Sequence, residues 1–309
     1  MGTATPMGNN SRGWRQSLDV RGIFWRRGLD WVIKNIPSPF HPALIWFWTA
    51  FFFFWAGAAR KSVLEHLAII LPGSSFLLNY FRAFRIFLNF AWTMVDTTIY
   101  KFKRPDFSCQ LNGAEALHDL LAARGAIILT AHMGSYDLGA ALFAEKFQRE
   151  IRMVRAPEPD TLSGEHLDQA LEHAGAGGVK VDYNQDGAAL SFDLLNRLRQ
   201  GEIISIQGDR VLGHLAAAST QLFGREVALP SGPFVLALVA SAPIYPLFVV
   251  RRGHRQYEII VREPIMATRT ERARAEDIAS AMSDWARILE QLGRDHWDQW
   301  YVFTPLFPS

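Results

Sequence analysis

Apolar and polar residues fall in blocks along the chain, and from residue 126 onward the blocks switch between strand-like and helix-like patterns. Ala126 to Thr130 is a short unbroken apolar run of strand character, while Asp137 to Phe147 (DLGAALFAEKF) is rich in Ala and Leu, which favour helix. The pattern predicts a helix over 136–148, a strand over 151–154, a Pro-rich loop at 156–160 and a helix near 161–174. A strand over 178–183, a helix over 187–200, a strand over 202–207 and a long loop through Gln207-Gly-Asp-Arg210 follow. Beyond it the pattern predicts a short strand at Gln221–Leu222–Phe223, a helix over 232–240, strands over 244–251 and 256–262, and a final helix near 271–293. This alternation predicts an α/β sandwich with a mixed, largely parallel sheet flanked by helices.

The first hundred residues read differently. Pro42 to Ala59 (PALIWFWTAFFFFWAGAA) carries no charge and approaches the ~20 residues that cross a bilayer. Arg12, Arg15, Arg21, Arg26, Arg27 and Lys34 precede it against only Asp19 and Asp30, and Arg60 and Lys61 follow at once. Basic flanks on both sides favour keeping both ends on the cytoplasmic face, in a re-entrant or interfacial placement. A short span and a buried core helix are the competing readings of the same run. In residues 76–104, apolar side chains recur at Phe76, Tyr80, Phe84, Phe87 and Ala91, close to helical spacing, giving one face that meets either lipid or the core. Met1 to Asn10 is small and polar, which predicts disorder, whereas the tail 296–307 (HWDQWYVFTPLF) is too aromatic for a free end.

At 309 residues the chain is long enough for one large core with an appended element. A formal net charge of +2, with no dense basic stripe, argues against nucleic acid as partner. Cys109 is the sole cysteine, which excludes an intramolecular disulfide and any cysteine-based zinc cluster. The nine histidines show no HExxH or HxxxH spacing, and there is no GxSxG, Walker A or GxGxxG motif. Gly175-Ala-Gly177-Gly178 comes near the last, but Lys180 takes the third glycine's place, and the segment reads as a turn.

The chemistry concentrates in His132-Met-Gly-Ser-Tyr-Asp137. Residues five apart on one helix lie about 140° apart around its axis, so this histidine and aspartate can meet only across a turn. Gly134 permits the dihedrals of a tight turn, Ser135 is a candidate N-cap, and Asp137 falls in the first helical turn. The Asp137 carboxylate can then fold back onto the imidazole and make it a general base near neutral pH, with no metal or cofactor required. The simpler reading is a helix-start charge favoured by the helix dipole.

These residues resemble the HxxxxD/E motif of the glycerolipid acyltransferase superfamily. The HMGSYDLG wording is most similar to the HMG-x-[WY]-[DE] form of the lipid A biosynthesis (late lauroyl/myristoyl) acyltransferases, and it also resembles the phosphatidylinositol mannoside acyltransferases. Residues 207–233 (QGDRVLGHLAAASTQLFGREVALPSGP) look like the same family's D-R turn and F-F-G-R-x-x-x-x-P-x-G-P stretch, with Leu222 in place of the first Phe. The likeness runs on through Ala242-Pro243-Ile244-Tyr245-Pro246.

The resemblance implies transfer of a fatty acyl chain from a thioester, on acyl carrier protein or coenzyme A, to a hydroxyl of a membrane glycolipid or phospholipid, a lipid A type acceptor being favoured. Carried over to this chain, His132 would deprotonate the acceptor hydroxyl and Asp137 would hold the imidazole. Arg155 would lie near the reaction centre. Asp209 and Arg210, after the strand ending at Ile206, would share a sheet edge with His132, their simpler reading being a turn. Gly224, Arg225, Pro230 and Gly232 would shape an anionic headgroup site ahead of a helix start. The implied organisation is a basic N-terminal segment over 1–41, partly disordered, an aromatic helical membrane-association region over 42–104, and a catalytic domain over 105–309, at the cytoplasmic face of a bacterial inner membrane. The same dyad would also serve an acyl-thioesterase or lipase, and a non-catalytic lipid-binding protein is the reading from another class.

Overall fold

In a computed structural model of the protein, residues 23–156, 178–184, 187–211, 216–270 and 273–307 are described. Nine strands are present among them: β1 (Ser108–Asn112), β2 (Ala126–Thr130), β3 (Ile151–Arg155), β4 (Val179–Tyr183), β5 (Ile203–Gln207), β6 (Ala217–Leu222), β7 (Arg225–Pro230), β8 (Ile244–Gly253) and β9 (Gln256–Val261). Seven of them form one sheet in the order β1-β9-β8-β2-β5-β3-β4, and β6 and β7 form a separate hairpin. Neighbours in the large sheet are parallel except β8 and β9.

Strand β2 is buried along its whole length, as a central parallel strand covered on both faces must be. Its side chains alternate between two cores. Ile127 and Leu129 join one with α8 (Gly232–Ala240) and α9 (Arg274–Asp295), whose Phe234, Trp285 and Leu289 are buried there. Ala126 and Ile128 join the other with α5 (Ala114–Ala122) and α6 (Tyr136–Phe147), through Leu120, Leu138 and Phe143. The crossover after β2 leads over one face to β3, and the connection after β5 leads over the other to β8. The carboxyl ends of β2 and β5 therefore flank a switch point, where open α/β sheets leave a crevice.

The mixed, largely parallel sheet and most of its elements follow the periodicity. α7 (Gly187–Arg199) and α8 match their predicted positions, and the helix expected near 161–174, the glycine turn at 175–177 and Met1 to Asn10 lie outside the described residues. The short strand expected at 221–223 is a full hairpin, turning at Phe223 and Gly224 with φ of 52° and 71°. The period-2 signal on β7 rests on Val227 and Leu229, and the strand's burial then runs on into Pro230, so no alternation extends over the strand. β1 is an exposed edge strand with no apolar alternation, and it and α5 carried no prediction.

The apolar N-terminal run is not one helix. α2 (His41–Trp55) and α3 (Gly57–Ile70) meet at Ala56 at 91°, and among the described residues no single helix is long and apolar enough to cross a membrane. α2 buries one edge, His41, Ile45, Thr49 and Phe53, at four-residue intervals. Phe53 sits among Tyr80, Phe84 and Phe87 of α4 (Phe76–Lys103), each ring edge-on at 5.2–5.4 Å. Most of the predicted apolar stripe on α4 thus faces core, and only its first turns, Phe76, Leu77, Leu78 and Phe81, are exposed. α1 (Ile23–Asn35) packs against the same helix.

Candidate active site

The turn after β2 is set by Gly134. Its φ is +63°, and a Cβ there would lie 2.0 Å from the carbonyl oxygen of Val249, so no side chain fits. The Ser135 amide bonds that carbonyl at 2.8 Å. Ser135 occupies the N-cap position of α6, but its side chain makes no capping bond, its Oγ lying 3.4 Å from Thr97 Oγ1 on α4 instead.

Strand register brings the histidine its partner. Thr130 pairs with Gln207 across β2 and β5, so His132 and Asp209, each two residues further on, leave the sheet side by side. His132 Nδ1 lies 2.7 Å from Asp209 Oδ1. Asp209 Oδ2 accepts from the His132 amide at 2.9 Å and from Trp300 Nε1 at 2.9 Å. Burial alone would push the Asp209 carboxyl up, but the His132 charge, the imidazole and indole hydrogen bonds and the His132 amide outweigh it and hold the carboxyl below its usual range. An ionised carboxylate only accepts hydrogen bonds, so Nδ1 is the protonated nitrogen, and in the neutral ring Nε2 carries the lone pair. The imidazole is 18% exposed whereas Asp209 is sealed.

Asp137 does not hold the imidazole, contrary to expectation. It starts α6 as predicted, but its Oδ1 takes Arg155 Nη1 at 2.5 Å. The reason is direction: the helix carries its first turn towards the end of β3, where Arg155 stands, while β5 delivers Asp209 to the histidine. Beside this pair the Tyr136 hydroxyl donates to the Ser205 carbonyl at 3.2 Å, and burial pushes its phenol up to about 12.

Arg210 follows Asp209 directly, at the same edge. Gly224 and Arg225 lie at the hairpin tip, and Pro230 and Gly232 at its other end. Five strand steps of about 3.3 Å separate the two groups by roughly 16 Å. The structure adds residues the sequence did not point to. The strap Gln299-Trp300-Tyr301 crosses the turn, with the Gly134 amide on the Gln299 carbonyl at 2.8 Å and the Tyr301 amide on the His132 carbonyl at 2.6 Å. The signal for it was the aromatic tail, which packs with Trp300, Tyr301, Val302 and Phe307 buried.

Among the described residues no group of three or more His, Cys, Asp or Glu is placed to hold a metal ion. What the arrangement offers is an imidazole that is partly open to solvent, its Nδ1 turned to a sealed carboxylate, at the carboxyl ends of β2 and β5. No curated protein matches the chain. The sequence model of the bacterial lipid A biosynthesis acyltransferases matches residues 17–309.

Proposed function

Because the chain belongs to the bacterial lipid A biosynthesis acyltransferase family, we propose that it moves a fatty acyl chain from a thioester, on acyl carrier protein or coenzyme A, to a hydroxyl of a lipid A-type glycolipid, with His132 as base and Asp209 as its partner. The observation that carries this is the His132 Nδ1 to Asp209 contact of 2.7 Å, which leaves Nε2 to receive a proton. Nε2 takes the proton of the acceptor hydroxyl as its oxygen attacks the thioester carbonyl. The tetrahedral intermediate then expels the thiolate, which collects the proton from the imidazolium, and the buried carboxylate stabilises that imidazolium while it lasts. The Asp137–Arg155 pair holds the start of α6 against β3 beside this centre.

A lipid acceptor calls for a membrane-facing surface, and α2 supports one. Away from its buried edge it exposes Phe47, Phe54 and Trp55, with Trp46 more than half exposed at the flank against Phe84, and the first turns of α4 expose Phe76, Leu77, Leu78 and Phe81. Fifteen residues of helix span only about 22 Å, so the fit is to one leaflet at the cytoplasmic face of the inner membrane, with Arg60, Lys61, Arg82 and Arg85 nearby to meet anionic headgroups.

The test is mass spectrometry of membrane lipids from cells making equal amounts of wild type or His132→Ala. A lipid heavier by one acyl residue with wild type alone is expected. Equal acylation by both would refute the mechanism, and free fatty acid released without an acceptor would make the protein a thioesterase.

A further inference from the structure

Asp209 is fully buried, yet only one of its oxygens meets the imidazole. The other is gripped from two directions, by the His132 amide and by the indole N–H of Trp300, both at 2.9 Å. The amide and the ring both belong to His132, the residue that Asp209 has to orient, so neither holds the carboxylate independently of it. The indole is the hold that comes from outside His132, and it fixes the plane so that Oδ1 is aimed at Nδ1.

The indole is itself held. It is buried and leans on Phe223 of the hairpin tip at 6.1 Å between ring centres. α9 carries Gly293 against it, where a methyl group would press within 3.0–3.1 Å of both Trp300 and Phe223. The strap on either side is pinned by the backbone bonds to Gly134 and His132. The Gln299 amide also bonds both the N–H and the C=O of Arg251, at 2.7 and 2.8 Å. A residue whose only task was to fill space would need none of this at its N–H.

We infer that Trp300 is a positioning residue for acyl transfer, its indole N–H fixing Asp209 so that the carboxylate meets His132 in one orientation, a role that rests on the assignment of His132 and Asp209 as the reacting pair. It touches neither substrate nor the reacting atoms.

The experiment exchanges the N–H and little else. Benzothienylalanine at position 300 of the full-length chain keeps the bicyclic shape with sulfur in place of N–H, and Trp300→Phe is the simpler companion. Transfer is followed from dodecanoyl-acyl carrier protein to acceptor lipids extracted from the producing cells. The benzothienyl variant should lose about tenfold to a hundredfold in kcat, as outer partners of catalytic groups do, with KM for the thioester within about twofold of wild type. The acid limb of its pH–rate profile should move, and its melting temperature should stay near wild type. Nitrogen-15 spectra of the histidine side chains, with His132 identified from His132→Asn, should show a single Nδ1–H tautomer in wild type and a mixture in the variant. A benzothienyl variant with wild-type kcat, pH profile and tautomer would overturn the role, whatever happens to Trp300→Phe. His132→Asn and Asp209→Asn run alongside: full activity in both would sink the reacting pair, whereas their loss beside a wild-type benzothienyl variant would sink Trp300 alone.

Discussion

Asparagine at position 209 separates the two aspartates of the site more sharply than any other change. The carboxylate accepts three hydrogen bonds, from His132 Nδ1, the His132 amide and Trp300 Nε1. An asparagine has one accepting oxygen and one donating NH2. If the NH2 replaces Oδ1, it can only donate to Nδ1, which forces the proton onto Nε2 and removes the base. If it replaces Oδ2 instead, it faces two N–H donors in a sealed site. Either way the imidazolium loses its neighbouring negative charge, and the same exchange in the serine protease triad costs about 10⁴ in rate. Asp209→Asn should therefore lower kcat by about 10³–10⁴, equivalent to roughly 4–5 kcal/mol of transition-state stabilisation. Asp137→Asn weakens one contact of Arg155, both side chains being partly exposed, and should cost about tenfold to a hundredfold with the His132 tautomer unchanged. Steady-state transfer assays on both variants, with nitrogen-15 histidine spectra, test the pair. If Asp137→Asn costs 10³ or more and changes the tautomer while Asp209→Asn stays within about tenfold, the assignment is wrong and the nearer aspartate is the true partner.

His66 on α3 should make the fold acid-sensitive. Its Nε2 accepts from the Leu306 amide at 3.2 Å, and burial lowers its pKa from 6.5 to about 4. A base depressed in the folded state contributes stability that is present above 6.5 and lost as pH falls towards 4, because the unfolded chain binds the proton first. The loss between pH 7 and pH 5 is about 2 kcal/mol, or about 3 °C of melting temperature for a chain of this size. His66→Leu should flatten the melting curve against pH by that amount, and an unchanged slope would disprove the linkage. On α2, replacing exposed Phe54 and Trp55 together by Glu should cut partition onto anionic phospholipid vesicles by more than about tenfold without lowering the melting temperature. Unaltered sedimentation with vesicles would remove this face as the docking surface.

The central parallel strands β2 and β5 were legible because their apolar residues run on both faces, and β2 in particular could be read to the residue. The neighbourhood of the site was legible too: His132 and Asp209 each follow such a strand, and strands in one parallel sheet end at one edge. The pairing within it was not. Which residue of β5 stands opposite which residue of β2 depends on the side chains that pack between sheet and helices, from Leu129 and Ile204 to Trp285, and no local spacing encodes that. Spacing along the chain therefore points to the aspartate five residues from the histidine, whereas the fold supplies the one 77 residues away. The bend at Ala56 was hidden for a related reason. An uncharged aromatic run looks the same whether it crosses a bilayer or lies along one, and what turns α3 away is the packing of Val63 and Leu67 into the cluster with Phe53 and Ile86. Within the HxxxxD spacing itself the structure shows two pairings that share one turn. The histidine leaves β2 in register with β5 and meets Asp209, while the aspartate, carried round by the first turn of α6, meets Arg155 at the end of β3. The four residues between them are long enough to reverse the chain around Gly134 and short enough to keep both pairs in one crevice, so the spacing constrains the site without joining its two ends.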